Sequence, residues 1–442
     1  MATPFLLTSA TYYGTLAAAR SLGRAGIPVV LADGALIAHT RWSRHVTRRE
    51  PLPTRAGPAA LLGRFLEIGR AAPGMVLYPT SDDLAWLFSA HRHQLAEHFR
   101  LLSPTLDVVY GFLNKQRLHD LCGEAGLESP ITHFPADLAE VERLAHRIEY
   151  PVMVKPQTQI FLDTKVKGRR VDRPGELVAA YVDFVRQNRY HPEIVRTDPG
   201  VVRPMIQAFH VGAAETIHSV SGFAAPSGEV ELRAATKILQ WPRKIGTGIC
   251  FEAEPVAQGL GEKLAALCRR VGYHGAFEVE FIREGDRSLL IDFNPRFYGQ
   301  MGFEEARGLE ISRLVHAAAC GDAAEVARLL AASREHPERH ATAYCNTNLF
   351  ELVTRGQRAL GVLGREEYRR WRAWARRHRG TCADAVWSSD DRVPGLVDFL
   401  QHLAGSARHP RAFLRTLLEL GPAHHDPAPS GERGPAAVEP AP

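Results

Sequence analysis

Residues 275–299 read GAFEVEFIREGDRSLLIDFNPRFYG, and no other stretch restricts the fold so tightly. Two runs of alternating apolar and polar residues, 276–282 and 288–293, flank the turn-rich REGDR, which is the pattern of a β-hairpin. Side chains along a strand point alternately to its two faces. With the turn centred on Asp286, Glu280 lies as far before it as Asp292 lies after it, so the two carboxylates stand opposite each other. Phe277, Val279, Phe281, Ile291 and Phe293 then share the other face, which should be the core side. Asn294 extends the acidic row, and Arg296 ends it.

Facing carboxylates are close enough for one hard cation to take an oxygen from both. Two acids and an amide suit a Mg²⁺ ion that keeps waters and shares the rest of its sphere with phosphates. Arg296 adds a planar, bidentate donor for a phosphoryl or acyl oxygen. The alternative is a solvated hairpin face. Such a face usually mixes Lys or Thr opposite its acids, and this one does not.

A triphosphate with Mg²⁺ retains negative charge and needs further cations around it. Lys115 in LNKQRLHDLC precedes a helical run, and Lys155 ends the strand PVMVKP. Lys237 lies in ATKILQWPRKIGTG, whose Gly246 and Gly248 suggest a mobile loop. Each alone reads as a surface lysine. Beside the hairpin they form a set.

The 442 residues allow about two to four domains. Residues 1–105 alternate strand and helix patterns: PFLLTS, TLAAARSLGRAG, IPVVLAD, GMVLYPTSDD, then a helix through LAWLFSAHRHQLAEHF. This rhythm predicts a small parallel α/β layer. Residues 114–149 are mostly helical, and 151–320 are strand-rich and antiparallel, with helices near 174–188 and 258–271. Beyond 320 the chain is helical and rich in Arg and Ala. Residues 421–442 hold six prolines and almost no large apolar side chain, which predicts disorder.

Composition is that of a soluble globular protein, 45% hydrophobic and 23% charged. A net charge of +5 suits acidic small molecules and is too weak to argue for nucleic acid. There is neither a signal-peptide pattern at the start nor a run of about 18 apolar residues, so a cytoplasmic address and no membrane partner are expected. Cys122, Cys250, Cys268, Cys320, Cys345 and Cys382 are dispersed, as reduced thiols are.

PVMVKP, PMIQAFHVGAAET and EVEFI…LLIDFNPRFYG together resemble the ATP-grasp superfamily, over about residues 4–320. YPTSDD, NKQRL and KILQWPRKIGTG look closest to its bacterial branch of D-aspartate ligase-like enzymes. The resemblance implies a pre-ATP-grasp α/β domain (1–110), a two-subdomain ATP-grasp domain (111–320, hinge near 207–215), a helical C-terminal region (321–420) and the tail. It implies ATP with Mg²⁺, or Mn²⁺ in its place. Lys115 and Lys155 would contact ATP phosphates or the adenine side, and Gln207, Ala208 and Phe209 would read adenine through backbone and the Gln207 side chain. Glu215 would accept the ribose hydroxyls and Lys237 would reach the γ-phosphate. Glu280, Asp292 and Asn294 would hold the metal, with Glu278 assisting, and Arg296 would stabilise an acyl phosphate. The activity implied is a ligase joining a small carboxylate to an amine, with a homodimer compatible. Open alternatives are a thiol or other acceptor, or a nucleotide-binding regulator without turnover. One departure stands out: QTQIFLDTKVKG after Lys155 lacks the glycines of a flexible phosphate cover, leaving Lys165 or Lys167 to substitute there.

Two further features carry alternatives. EEYRRWRAWARRHRG (366–380) reads either as an anion-binding helix or as one that buries Trp371 and Trp374 while its arginines stay solvated. Asp82 and Asp83 should sit at a strand end, where open α/β sheets bind ligands, and could hold an amine or cap a helix.

Overall fold

A computed structural model describes residues 2–53, 56–164, 168–242, 246–335, 340–408 and 410–418. Lys165, Lys167 and the tail 421–442 lie outside the described residues. The N-terminal layer is a five-stranded parallel sheet built from β1 (Phe5–Thr8), β2 (Val29–Ala32), β3 (Val46–Glu50), β4 (Met75–Leu77) and β5 (Phe99–Leu101). Their order is β3-β2-β1-β4-β5. The strands FLLT, VVLA and MVL are buried throughout because helices cover both faces. The order reverses between β1 and β4, so the loops after these two strands open into one crevice. The expected helix across 84–99 is interrupted at His91 into Asp82–Ala90 and Arg92–Ala96.

Next comes a four-stranded antiparallel sheet of β6 (Thr132–His133), β7 (Val152–Lys155), β9 (Arg169–Val171) and β11 (Met205–Ala208), ordered β6-β11-β7-β9. A separate ribbon pairs β8 (Leu162–Thr164) with β10 (Asn188–Tyr190). The largest sheet joins β12 (Ile217–Ala224), β13 (Val230–Trp241), β14 (Thr247–Glu254), β15 (Gly275–Glu284), β16 (Arg287–Asn294), β17 (Ala343–Cys345) and β18 (Cys382–Asp384). Its order is β16-β15-β12-β13-β14-β17-β18.

The last two strands correct the expectation of a purely helical C-terminal region: β17 pairs with β14 and β18 with β17. Trp371 and Trp374 of the helix Arg365–Arg377 are buried against this extension, the structural of the two readings. Among the described residues, no helix is long and apolar enough to cross a membrane.

The hairpin β15–β16 forms, with one correction to its register. Its turn is the two-residue Gly285–Asp286, with Glu284 opposite Arg287 and Gly285 at φ +59°. An irregularity between Glu280 and Phe281 then inserts Ile291 unpaired on β16. Beyond it the expected pairs return: Glu280 faces Asp292, Val279 faces Phe293, and Glu278 faces Asn294. The bulge removes Ile291 from the core face, and Leu290 takes its place beside Phe277, Val279, Phe281 and Phe293. Phe293 stacks on Phe112, centroids 3.8 Å apart, which fastens the helix Leu106–Leu113 beneath the hairpin.

This register has a mutational signature. Leu290→Ala should cost about 2–5 kcal/mol in denaturant unfolding, the range for a fully buried leucine. Ile291→Ala should cost less than half as much. The reverse ranking would place the bulge elsewhere.

Candidate active site

Each carboxylate of the hairpin meets a lysine from a distant part of the chain. Lys115 opens the helix Lys115–Glu124, whose cap Asn114 accepts from the backbone N–H groups of Gln116 and Arg117. That cap aims the first side chain of the helix at β16, where Nζ of Lys115 donates to Asp292 Oδ1 and to the Ile291 carbonyl oxygen at 3.3 Å. Unpaired by the bulge, Ile291 thus contributes its carbonyl to the site. Lys237, on β13 and only 7% exposed, donates to Glu280 Oε1.

These pairs set the local electrostatics. Burial alone would raise the Asp292 carboxyl, but the Lys115 ammonium, helped by Lys155 and Arg296, holds the group below the usual range. Burial likewise opposes the charge on Lys237, and Glu280 reverses that, leaving its pKa raised. Among the described residues, no carboxylate forms an ion pair with Lys155. Its Nζ donates to Gln207 Oε1 at 3.3 Å. Burial, with the Lys115 charge nearby, pushes Lys155 down to about 8.

Asn294 sits between an acid and a base: its Nδ2 donates to Glu278 Oε2 at 2.7 Å, and its Oδ1 accepts from Arg296 Nη2 at 2.8 Å. Glu278 also accepts from Gln300 Nε2 at 2.8 Å. Burial foremost, and then the neighbouring Glu280 charge, raise Glu278 to about 7. Gln300 escaped the sequence reading, though it lies only four residues past Arg296. Tyr12 escaped it too.

Arg296 does not continue the strand row outward. Pro295 follows the last residue of β16, and the guanidinium turns back toward the N-terminal layer. Nε donates to Asp82 Oδ1 at 2.6 Å, and Nη1 donates to the Tyr12 hydroxyl and to the Phe297 carbonyl, each at 3.0 Å. With the bond to Asn294, four of its five N–H groups are engaged. Asp82 is therefore the partner of Arg296, and Asp83 accepts from the Phe161 backbone N–H at 2.6 Å. Each acid thus already holds a protein donor, and the cap of that helix is Ser81.

The remaining expected residues lie on or after β11. Gln207 bonds Lys155 and, through Nε2, the Thr132 hydroxyl at 3.1 Å. The backbone N–H of Ala208 donates to the Ile131 carbonyl and that of Phe209 to the Pro151 carbonyl. These two N–H groups are committed within the fold. Glu215 is exposed in the 3₁₀ turn Ala213–Glu215. The structure thus gathers Lys115, Lys237, Glu280, Asp292, Asn294 and Arg296 in one cluster, with Lys155 and Gln207 beside it.

The donor chemistry fits a hard divalent cation: two carboxylates and an amide oxygen, all oxygen ligands. Among the described residues no group of three or more His, Cys, Asp or Glu side chains is arranged to hold a metal.

No protein-family model matches the chain. Over 199 residues it is 26% identical to formate-dependent phosphoribosylglycinamide formyltransferase of Pseudomonas aeruginosa, covering 44% of this chain and 46% of the relative. The match thus spans about half the length of that curated relative. In structure, the chain is similar to the biotin carboxylase domain of Hydrogenobacter thermophilus 2-oxoglutarate carboxylase, with TM-score 0.58, 16% identity, 73% of this chain and 70% of that one. It is also similar to an L-amino acid ligase from Bacillus licheniformis, with TM-score 0.52, 16% identity and coverage of 72% and 75%. N5-carboxyaminoimidazole ribonucleotide synthetase from Thermus thermophilus gives TM-score 0.51, 13% identity and coverage of 72% and 78%. The mixed α/β architecture is shared with these solved structures: the chain has the ATP-grasp fold.

The raised Glu278 makes a signed prediction. A carboxyl whose pKa rises from 4.5 to about 7 on folding contributes stability that is full at low pH and lost as pH rises through 7. Glu278→Gln stays neutral throughout. In chelator-treated protein, the melting temperature of the variant minus that of wild type should therefore increase from pH 4.5 to pH 8. A flat difference would place Glu278 in a solvated setting.

Proposed function

We propose that the chain is an ATP-dependent ligase that activates a small carboxylate as an acyl phosphate and joins it to an amine, releasing ADP and phosphate. The observation that carries this reading is the facing pair Glu280–Asp292, with each acid neutralised by its own lysine. A divalent cation can replace the ammonium groups at the acids, and freed ammonium groups suit phosphates. Glu280, Asp292 and Asn294 would hold Mg²⁺ or Mn²⁺, which when bound with ATP supplies charge neutralisation on the triphosphate.

In this reading Lys115 and Lys155 hold nucleotide phosphates, and Lys237 neutralises the γ-phosphoryl. The carbonyl edge of Gln207–Phe209 faces adenine, and Glu215 takes the ribose hydroxyls. A carboxylate oxygen attacks the γ-phosphorus as the bond to ADP breaks, and the amine then displaces phosphate from the acyl carbon. Positioning and charge carry both steps, with no side-chain nucleophile. Arg296 offers one free N–H and fixes Asn294. The relatives named above support small acids and amines as substrates, amino acid-like ones among them. The D-aspartate ligase-like branch, the domain division at about 110 and 320, a cytoplasmic address and a homodimer belong to the same proposal. Val393, Leu396, Phe399, Leu400 and Leu403 form a half-exposed apolar stripe on the helix Val393–Arg408, the surface that best suits a homodimer. The engaged fork of Arg296 favours one second reading, a nucleotide-binding regulator without turnover.

A screen of acid–amine pairs for ADP formation, with product mass as readout, separates the two. Asp292→Asn removes one charge at nearly constant volume and should abolish turnover in a chain that still folds, with a lowered melting temperature because Lys115 is left without its partner. Near wild-type ADP formation at limiting Mg²⁺ would refute the metal assignment. Arg296→Lys keeps the charge but cannot span Asp82, Tyr12 and Asn294 at once. ADP formation should fall roughly tenfold to a thousandfold while calorimetric ATP binding stays near wild type. If binding collapses and turnover per bound ATP does not, Arg296 anchors the nucleotide.

A further inference from the structure

We propose that the segment after β7, residues 156–161, is a fixed platform beside the nucleotide phosphates, latched to the N-terminal layer by Asp83, and that Asp83 is a positioning residue for ATP. This rests on the ligase reading above. A phosphate cover that closes like a flap needs glycines and exposure. Here Pro156, Gln157, Thr158 and Ile160 are buried, and Ile160 has no exposed surface.

Successive points of the segment are tied to different elements. The Gln157 carbonyl accepts from the Lys115 backbone N–H at 2.7 Å, and the Gln157 side chain donates to the Arg203 carbonyl at 2.8 Å. The Thr158 carbonyl accepts from the Tyr190 hydroxyl at 3.0 Å. Ile160 packs in the core of the N-terminal layer with Trp86, Phe88 and Ile194. Phe161 sits edge-on to Trp86, and its carbonyl accepts from the His191 N–H at 3.0 Å.

Phe161 adopts φ +43°, an uncommon conformation for an aromatic residue. It turns the Phe161 N–H to the Asp83 carboxylate at 2.6 Å. Without that acceptor, a buried N–H is orphaned in an already disfavoured conformation, and the segment has reason to release. Release would also loosen Gln157 from the start of the helix that aims Lys115 at Asp292. The latch thus reaches the nucleotide cations without touching the ligand.

Hydrogen exchange of the wild-type chain gives the first test. Amides of 157–161 should be equally protected with and without Mg·ATP. Protection that appears only with the nucleotide would describe a flap and overturn the proposal. Asp83→Ala should speed exchange at 157–161 and raise the KM for ATP by about tenfold, with kcat within about twofold. Asp83→Asn keeps an acceptor oxygen for Phe161 and should restore both values toward wild type. Wild-type exchange and KM in Asp83→Ala, or a loss confined to kcat, would refute the latch. No calorimetric binding of ATP by wild type would sink the ligase reading and the nucleotide role together, whereas the exchange data judge the latch itself.

Discussion

Compensation of two sheet carboxylates by two remote lysines is the constraint on which the rest of the site depends. Glu280 and Asp292 face each other across a ladder, and leaving both ionised in a semi-buried setting without cations would be costly. Lys237 reaches Glu280 from β13, with β12 between their strands. Lys115 reaches Asp292 from a helix start. Removing one partner of such a pair costs more than the pair contributes, because the other charge is left behind.

Arg296 couples this cluster to the N-terminal layer. Its bonds to Asp82 and Tyr12 come from the loops after β4 and β1, the two loops that open into the sheet's crevice. Its bond to Asn294 then fixes the amide whose other end holds Glu278. Small displacements of the N-terminal layer therefore reach the acidic row of the hairpin through one guanidinium. Gly14 is part of this junction: a Cβ there would lie 2.2 Å from the Tyr298 carbonyl oxygen, so only glycine lets the first helix approach so closely.

Much of this was legible in the sequence, for physical reasons that also mark where legibility ended. The hairpin was readable because alternation with period two survives in GAFEVEF and LLIDF. The bulge at Ile291 was not, because Leu290 and Ile291 are equally apolar and only packing decides which faces the core. The lysines were recognisable as candidates, but their pairing was not: Lys115 and Asp292 are 177 residues apart. Nor could the sequence reveal that Arg296 turns back, since Asp82 lies 214 positions away. The strands β17 and β18 have three residues each, too short for any alternation to show.

Those short strands alter how the C-terminal region should be understood. Through β17 it covers β14, whose other neighbour β13 carries Lys237. It also returns to the first helix of the chain. Arg20 donates to the Asp391 carboxylate at 3.0 Å and to the Val386 carbonyl at 2.8 Å, and Asp391 accepts as well from Ser43 and the Arg44 backbone N–H. Both members of this ion pair are buried, so neither can lose the other cheaply. The helix bearing Arg20 is the one that Tyr12 precedes, and Tyr12 is a partner of Arg296. A region with no residue in the cluster thus holds the strand beside Lys237 from one side and the helix behind Arg296 from the other.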